Sequence, residues 1–182
     1  MTFAAFGLAQ WLIVAVALQR LAELFLARRN TRRLLAEGGQ EAGRGHYFWI
    51  VGLHTAWLVA LFVVIPPKTT ENLPLLSAFF LLQLARIWVI VSLGKYWTTR
   101  IITMPAAPLV ARGPYRWIRH PNYLIVALEI ALLPLAFDDW ILALIFSAAN
   151  AAMMVIRIPM ENRVLNARRA HPDRNNSPAQ QP

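Results

Sequence analysis

The chain has 182 residues, 58% of them hydrophobic, with a mean hydropathy of +0.46 and a formal charge of +9. A soluble domain of this length is far less apolar, so the composition reads as an integral membrane protein with room for one domain of about five spans at ~20 residues each. With no cysteine, a disulfide framework, a thiol nucleophile and a thiolate metal site are excluded, and the basicity points first to topology and anionic lipid; no aromatic-basic stripe on a soluble domain suggests nucleic acid.

In chain order, the first apolar run lacks a basic leading region and is too long for a signal-peptide core, so it reads as a span from about Thr2 to Ala27. Arg20 and Glu23 stand three apart on it, on one helix face, where they can pair. "RRNTRRLLAEGGQEAGRGHY" follows; its first half reads as a helix extension or an interfacial helix, and its Gly-rich second half as a loop. The second span covers about 46–65, and "PPKTTENLP" closes it with a Pro-rich turn. The third covers about 74–94. A polar, basic connector over 95–122 leads to residues 123–156, which read as two short apolar helices broken by "FDDW" at 137–140, with Asp138 and Asp139 at the tip of a tight hairpin. Residues 1–170 form a single transmembrane domain in this reading, and the polar, Pro-rich tail 171–182 is disordered.

The cations orient the bundle. Arg28, Arg29, Arg32, Arg33 and Arg44 fill the first loop; Lys95, Arg100, Arg112, Arg116 and Arg119 fill the connector; Arg157, Arg163, Arg168, Arg169 and Arg174 follow the last apolar run. The two opposite loops hold only Lys68, with three acids. Positive residues mark the cytoplasmic side, so five spans place the N-terminus outside and the C-terminus in the cytoplasm, in a membrane that the resemblance below makes a bacterial inner membrane.

Charges inside the apolar segments are costly and usually face a partner in the bundle interior. Arg86 and Glu129 read as a cross-helix pair, a structural strut, and His54 as an interior histidine. No second His or carboxylate stands at ligand spacing from it, so no metal site is expected. No Gly-rich phosphate cradle, HExxH or GxSxG is present, and no βαβ alternation supports a Rossmann fold.

"GPYRWIRHPNYL" at 113–124 is harder to account for. Arginines and aromatic rings at a membrane edge are ordinary, with Trp117 and Tyr123 as interface anchors. The Gly113-Pro114 turn and His120-Pro121 are not explained that way. Pro121 suits the first turn of a helix, with His120 extended before it. That arrangement aims backbone N–H groups and a ring at one helix N-terminus, where an anionic or polar ligand group is favoured.

The run "LVARGPYRWIRHPNYL", followed by "RIPMENRVL", resembles the isoprenylcysteine carboxyl methyltransferase family of integral membrane enzymes. The fuller stretch "LGKYWTTRIITMPAAPLVARGPYRWIRHPNYLIV" is most similar to its bacterial branch, some members of which methylate lipidic polyketides. The resemblance covers about residues 80–168, the catalytic half; the first two spans match in hydropathy alone. It implies an all-α membrane bundle and an O-methyltransferase that uses S-adenosyl-L-methionine. It places Leu109 and Val110 along the adenosine, Tyr115 over the cofactor, His120, Pro121, Asn122 and Tyr123 on its polar groups, and Glu161 against it from the last helix. Arg157 would orient the acceptor. Family sequences commonly carry consecutive acids where this chain has Glu161-Asn162, which puts a second-acid role in doubt. Independently, Arg157 and Glu161 stand four apart and share a helix face.

Methyl transfer from a sulfonium is an in-line displacement that needs no metal and no protein nucleophile, only two reactants held in near-attack geometry. An acceptor oxygen that arrives ionised needs no strong base, and a dry site favours neutralising a cation and an anion together. The implied acceptor is a lipophilic molecule, a prenylated or polyketide lipid, entering from the membrane lipid. The alternative is a non-enzymatic lipid-binding or assembly protein on the same scaffold, which would not bind S-adenosylhomocysteine.

Overall fold

A computed structural model describes residues 6–43, 45, 47–104 and 110–170, with backbone only for the last four. Five helices carry the chain: α1 (Leu8–Ala36), α2 (Tyr47–Val64), α3 (Leu73–Leu93), α4 (Pro121–Leu135) and α5 (Trp140–Ala170). Two three-residue strands, β1 (Gln40–Ala42) and β2 (Ile101–Thr103), pair antiparallel with Glu41 opposite Ile102. The all-α membrane bundle expected from composition is what the chain forms. The described part of the first span runs unbroken through the Arg-rich stretch to Ala36, so the helix extension is correct and the interfacial helix is not; the expected start at Thr2 lies outside the described residues, as does the tail 171–182.

Four of the helices are long and apolar enough to cross a membrane; α4 is not. Its 15 residues reach about 22 Å, against a hydrocarbon thickness of about 30 Å. The last helix departs from the expected short hairpin. α5 runs 31 residues from Trp140 to Ala170, continuing through Pro159 and the polar "RIPMENR" stretch. Hydropathy ended it near 156 because Arg157, Glu161 and Arg163 interrupt the apolar run, whereas the helix continues because those residues face a polar end of the bundle. The break at "FDDW" is correct: α4 ends at Leu135, Asp138 adopts φ 59°, and Asp139 Oδ1 accepts from Leu142 N–H at 2.9 Å, capping α5.

Apolar packing centres on Ile13, Trp57, Leu61, Phe79, Ile130 and Leu133, all at most 2% exposed. Far more apolar surface points outward, including Trp11, Phe25, Val63, Leu81, Val91 and Val155, as lipid-facing helices require. Between the helices lies a charged cluster wider than the expected pair. Arg86 bonds Glu129 at 3.0 Å and Glu23 through Nε and Nη2 at 2.7 and 2.6 Å; Arg20 bonds Glu23 at 2.9 Å and Glu129 at 2.7 Å. Gln19 and Gln83 join it, Gln83 donating to Glu129 at 2.8 Å. Both expected pairs, Arg20–Glu23 and Arg86–Glu129, are present within it. Two guanidinium groups and two carboxylates balance, and charge-assisted bonds meet the desolvation of each.

The ends of the bundle differ in kind. At one, Asn72 N–H bonds the Ala136 carbonyl at 2.8 Å and Gln10 Nε2 the Ile65 carbonyl at 2.7 Å. At the other, the end of α1, the hairpin, the connector and the second half of α5 interlock. Asn30 donates to the Trp97 carbonyl at 2.9 Å and Lys95 to Glu37 at 2.9 Å. Glu37 sits below the usual carboxylate range because Lys95 and then Arg33 bond to it. Every cation-rich stretch thus gathers at one end.

Candidate active site

Because α4 is short and its far end is tied to the start of α3, its N-terminus stands about 8 Å inside the end of a full span. The connector dips accordingly: Trp117 lies against Trp88, more than a turn before the end of α3, with centroids 6.0 Å apart. A turn at Gly113 makes the descent. Its φ is +58°, a Cβ there would lie 2.0 Å from Ser92 Oγ, and the neighbouring Arg112 donates through Nε to the Ser92 carbonyl at 2.7 Å. Glycine is therefore required by both conformation and space. A single 3-10 turn over Gly113–Arg116 then points Tyr115 inward. Pro121 opens α4 as its first residue, the position where its missing N–H is no loss. His120 precedes it at φ −130°, ψ 62°, short of a fully extended conformation.

Behind this connector is a cavity of about 490 Å³. Val110, Tyr115, His120, Asn122, Tyr123, Arg157 and Glu161 all line it. Pro121 does not; it is buried and sets the helix start. Leu109 lies outside the described residues. The walls of α4 and α5 are joined by a chain of polar bonds. Arg157 Nε donates to Tyr123 Oη at 2.7 Å, Tyr123 in turn donates to Glu161 Oε2, and Arg157 Nη2 reaches the Thr99 carbonyl at 2.5 Å. The four-residue spacing of Arg157 and Glu161 puts both on the face of α5 that meets Tyr123. His120 Nε2 stands 2.9 Å from Asn162 Oδ1, and its Nδ1 is 4.0 Å from Glu161 Oε1. Where the resembled family has consecutive acids, Asn162 here holds the imidazole. Arg119 bonds Asn166 at 2.7 Å one turn further on.

Burial, and then the charge of Glu161, push the Tyr115 phenol above its usual range, so it stays a neutral donor over the cavity. The Oδ1 of Asn122 and the Nε1 of Trp97, both in residues that line the cavity, are buried without a hydrogen-bond partner. Unsatisfied buried polar atoms are uncommon, and these two lie in residues of one cavity wall. A carboxylate, a tyrosine hydroxyl and an imidazole around one cavity suit a zwitterionic, adenine-bearing cofactor, with Glu161 for a cationic portion. Among the described residues no three His, Cys, Asp or Glu stand together as a metal site.

Sequence reasoning missed Thr99, which holds Arg157 through its carbonyl; Asn162, which it read as a lost acid; and Trp97. It also missed the lining of the inner wall by His54 and Asn150. Only the helical register, two turns from Arg157 to Asn150, could have signalled the latter.

Compared with known proteins, residues 75–167 match the family model described as the isoprenylcysteine carboxyl methyltransferase family. The chain is also 36% identical over 160 residues to a Bacillus subtilis protein described as "Uncharacterized protein YpbQ", an alignment covering 85% of this chain and 95% of the relative.

Proposed function

The chain belongs to the isoprenylcysteine carboxyl methyltransferase family, a family of membrane methyltransferases, and from that premise we propose that it transfers the methyl group of S-adenosyl-L-methionine to an acidic oxygen of a lipophilic acceptor. The observation that carries the reading is the bonded chain Arg157–Tyr123–Glu161 on the wall of one cavity. Val110, Tyr115, His120, Asn122, Tyr123 and Glu161 hold the cofactor, whose sulfonium supplies an electrophilic methyl. Arg157 lies next to them, and as a permanent two-pronged cation it orients an anionic oxygen and disfavours an ammonium. Burial behind the connector keeps water from the reacting atoms.

The acceptor comes from the bilayer side. Trp117 and Ile118 line the cavity on one side and are 66% and 43% exposed on the other, so a lipid tail can lie across them. The cation-rich end faces the cytoplasm, where the cofactor is made. Residues 1–170 act as one catalytic unit. The test is calorimetry with S-adenosylhomocysteine on the purified protein, followed by incubation with labelled S-adenosyl-L-methionine and a membrane lipid extract. Binding and a labelled, ester- or ether-forming lipid product are the expected results. No binding would leave a lipid-binding scaffold without an enzyme's cofactor site.

A further inference from the structure

The cavity continues past the reacting residues. Thr99 lines it, and the Thr99 Oγ1 stands 3.4 Å from the hydroxyl of Tyr47 at the start of α2; His54 lies two turns further along that helix. Asn150 lies two turns inward from Arg157 on α5, which packs on α2. His54, Asn150 and Arg86 all line this inner wall among Ile50, Val89 and Val126.

The polar groups there are unevenly occupied. Both carboxylates of the charged cluster hold Arg86, so no net positive charge is left to hold an anion. His54 Nδ1 is 2.8 Å from the Ile50 carbonyl, which can only accept. The ring proton therefore sits on Nδ1, and Nε2 presents a lone pair that makes no hydrogen bond among the described residues. Asn150 is 5% exposed, and its amide meets only the Met154 sulfur, at 3.7 Å, a weak acceptor. An unbonded lone pair and a nearly unpartnered amide in this wall would be left unsatisfied against a plain hydrocarbon tail.

We propose that the inner end of the cavity recognises a neutral hydroxyl group of the acceptor, with His54 Nε2 accepting its hydrogen bond and the Asn150 amide contacting the same oxygenated ring or chain. This rests on the methyltransferase reading for the acceptor's first oxygen, the one methylated at the Arg157 end, and adds a second. The acceptor is then an oxygenated lipid with two polar groups along its inserted portion, not a prenyl chain alone. His54 is a specificity-determining residue and takes no proton in the transfer.

The test uses the full-length protein in lipid nanodiscs and two probes that differ by one hydroxyl: a long-chain 1,3-dihydroxybenzene and the monohydroxybenzene with the same chain. Their affinities are measured by calorimetry with and without S-adenosylhomocysteine. The wild type should prefer the dihydroxy compound by about tenfold, the worth of one hydrogen bond made in a buried site. His54→Phe should erase that preference and leave the affinity for the monohydroxy compound unchanged. His54→Gln, which keeps an acceptor oxygen, should retain part of the preference, and Asn150→Leu should reduce it. Equal binding of the two probes to the wild type would overturn the proposal, as would an equal loss for both in His54→Phe. A preserved preference in a protein that fails to bind S-adenosylhomocysteine would remove the methyltransferase reading while leaving the hydroxyl site.

Discussion

At the scale of single residues, the candidate site separates side chains that sequence reasoning treats alike. Arg116, Arg119 and Arg157 all border the cavity, but their exposure and partners differ. Arg116 is exposed and stacks on the outward-facing Trp117 at 4.6 Å, Arg119 bonds Asn166 at the surface, and Arg157 is tied to Tyr123 and Thr99 against the cavity. His120→Ala and Glu161→Gln should each weaken S-adenosylhomocysteine binding by about 1–3 kcal/mol, the cost of removing a partner in a buried polar site. Arg116→Ala should leave it nearly unchanged, and calorimetry on the three variants decides the matter: similar losses at all three would reduce the loop to ordinary interfacial charge. Arg157→Lys should lower turnover more than cofactor affinity, because lysine keeps the charge and loses the planar fork that holds Tyr123 and an anionic oxygen together. A collapse of cofactor affinity in that variant, with acceptor use unchanged, would move Arg157 into the cofactor site. These residues were legible because a family motif and a four-residue helical spacing both register in sequence. Asn162 was not, since its contribution is a bond to His120 that exists only once α5 crosses α4.

At the scale of elements, legibility followed the range of the interactions that build each one. α2 and α3 lie within a residue or so of their expected limits because continuous hydropathy, and at α3 the Asn72 cap with Pro74 behind it, are local signals. The β1–β2 pair was missed: three residues on each side carry no alternation to read, and the partners are some sixty positions apart. The pair is held by Arg100, which bonds Glu41 at 2.9 Å and stacks on Tyr47. The length of α5 was missed because hydropathy measures lipid contact, not helicity. The Gly113 turn is the element on which the connector's descent depends. Gly113→Ala should destabilise the protein by about 1–3 kcal/mol, since alanine at that positive φ is strained and its methyl meets Ser92. It should also weaken S-adenosylhomocysteine binding by displacing Tyr115. Thermal unfolding and calorimetry on that variant, beside Ala111→Gly as a control two residues away, measure both effects; an unchanged melting temperature would mean that the turn does not set the connector.

At the scale of the whole molecule, the chain divides its polar residues between two tasks. Arg20, Glu23, Arg86 and Glu129 neutralise one another at mid-depth and fix how α1, α3 and α4 meet; Lys68 apart, the remaining cations of the described residues collect at a single end. That segregation follows from an odd number of helices, which puts the end of α1, the connector and the end of α5 together, and it gives the fold a direction across the bilayer. The hairpin tips at the other end carry Lys68, Glu71, Asp138 and Asp139. Translocating an arginine-rich segment is disfavoured, and the bias counts most for residues close to span ends, which describes Arg28, Arg29, Arg32 and Arg33 in the last turns of α1. Moving the connector outward would carry Lys95, Arg100, Arg112, Arg116 and Arg119 across as well, and would separate the cavity mouth from cytosolic cofactor. The expected topology therefore has the connector and the C-terminus inside. A reporter that is active only outside the cytoplasm should be silent when fused after the C-terminus and active when inserted at Thr70, between α2 and α3; a reporter active only in the cytoplasm should give the opposite pattern at both positions. Activity of the external reporter at the C-terminus with silence at Thr70 would invert the molecule in the membrane and place the Arg157–Tyr123–Glu161 cavity on the side away from the cofactor.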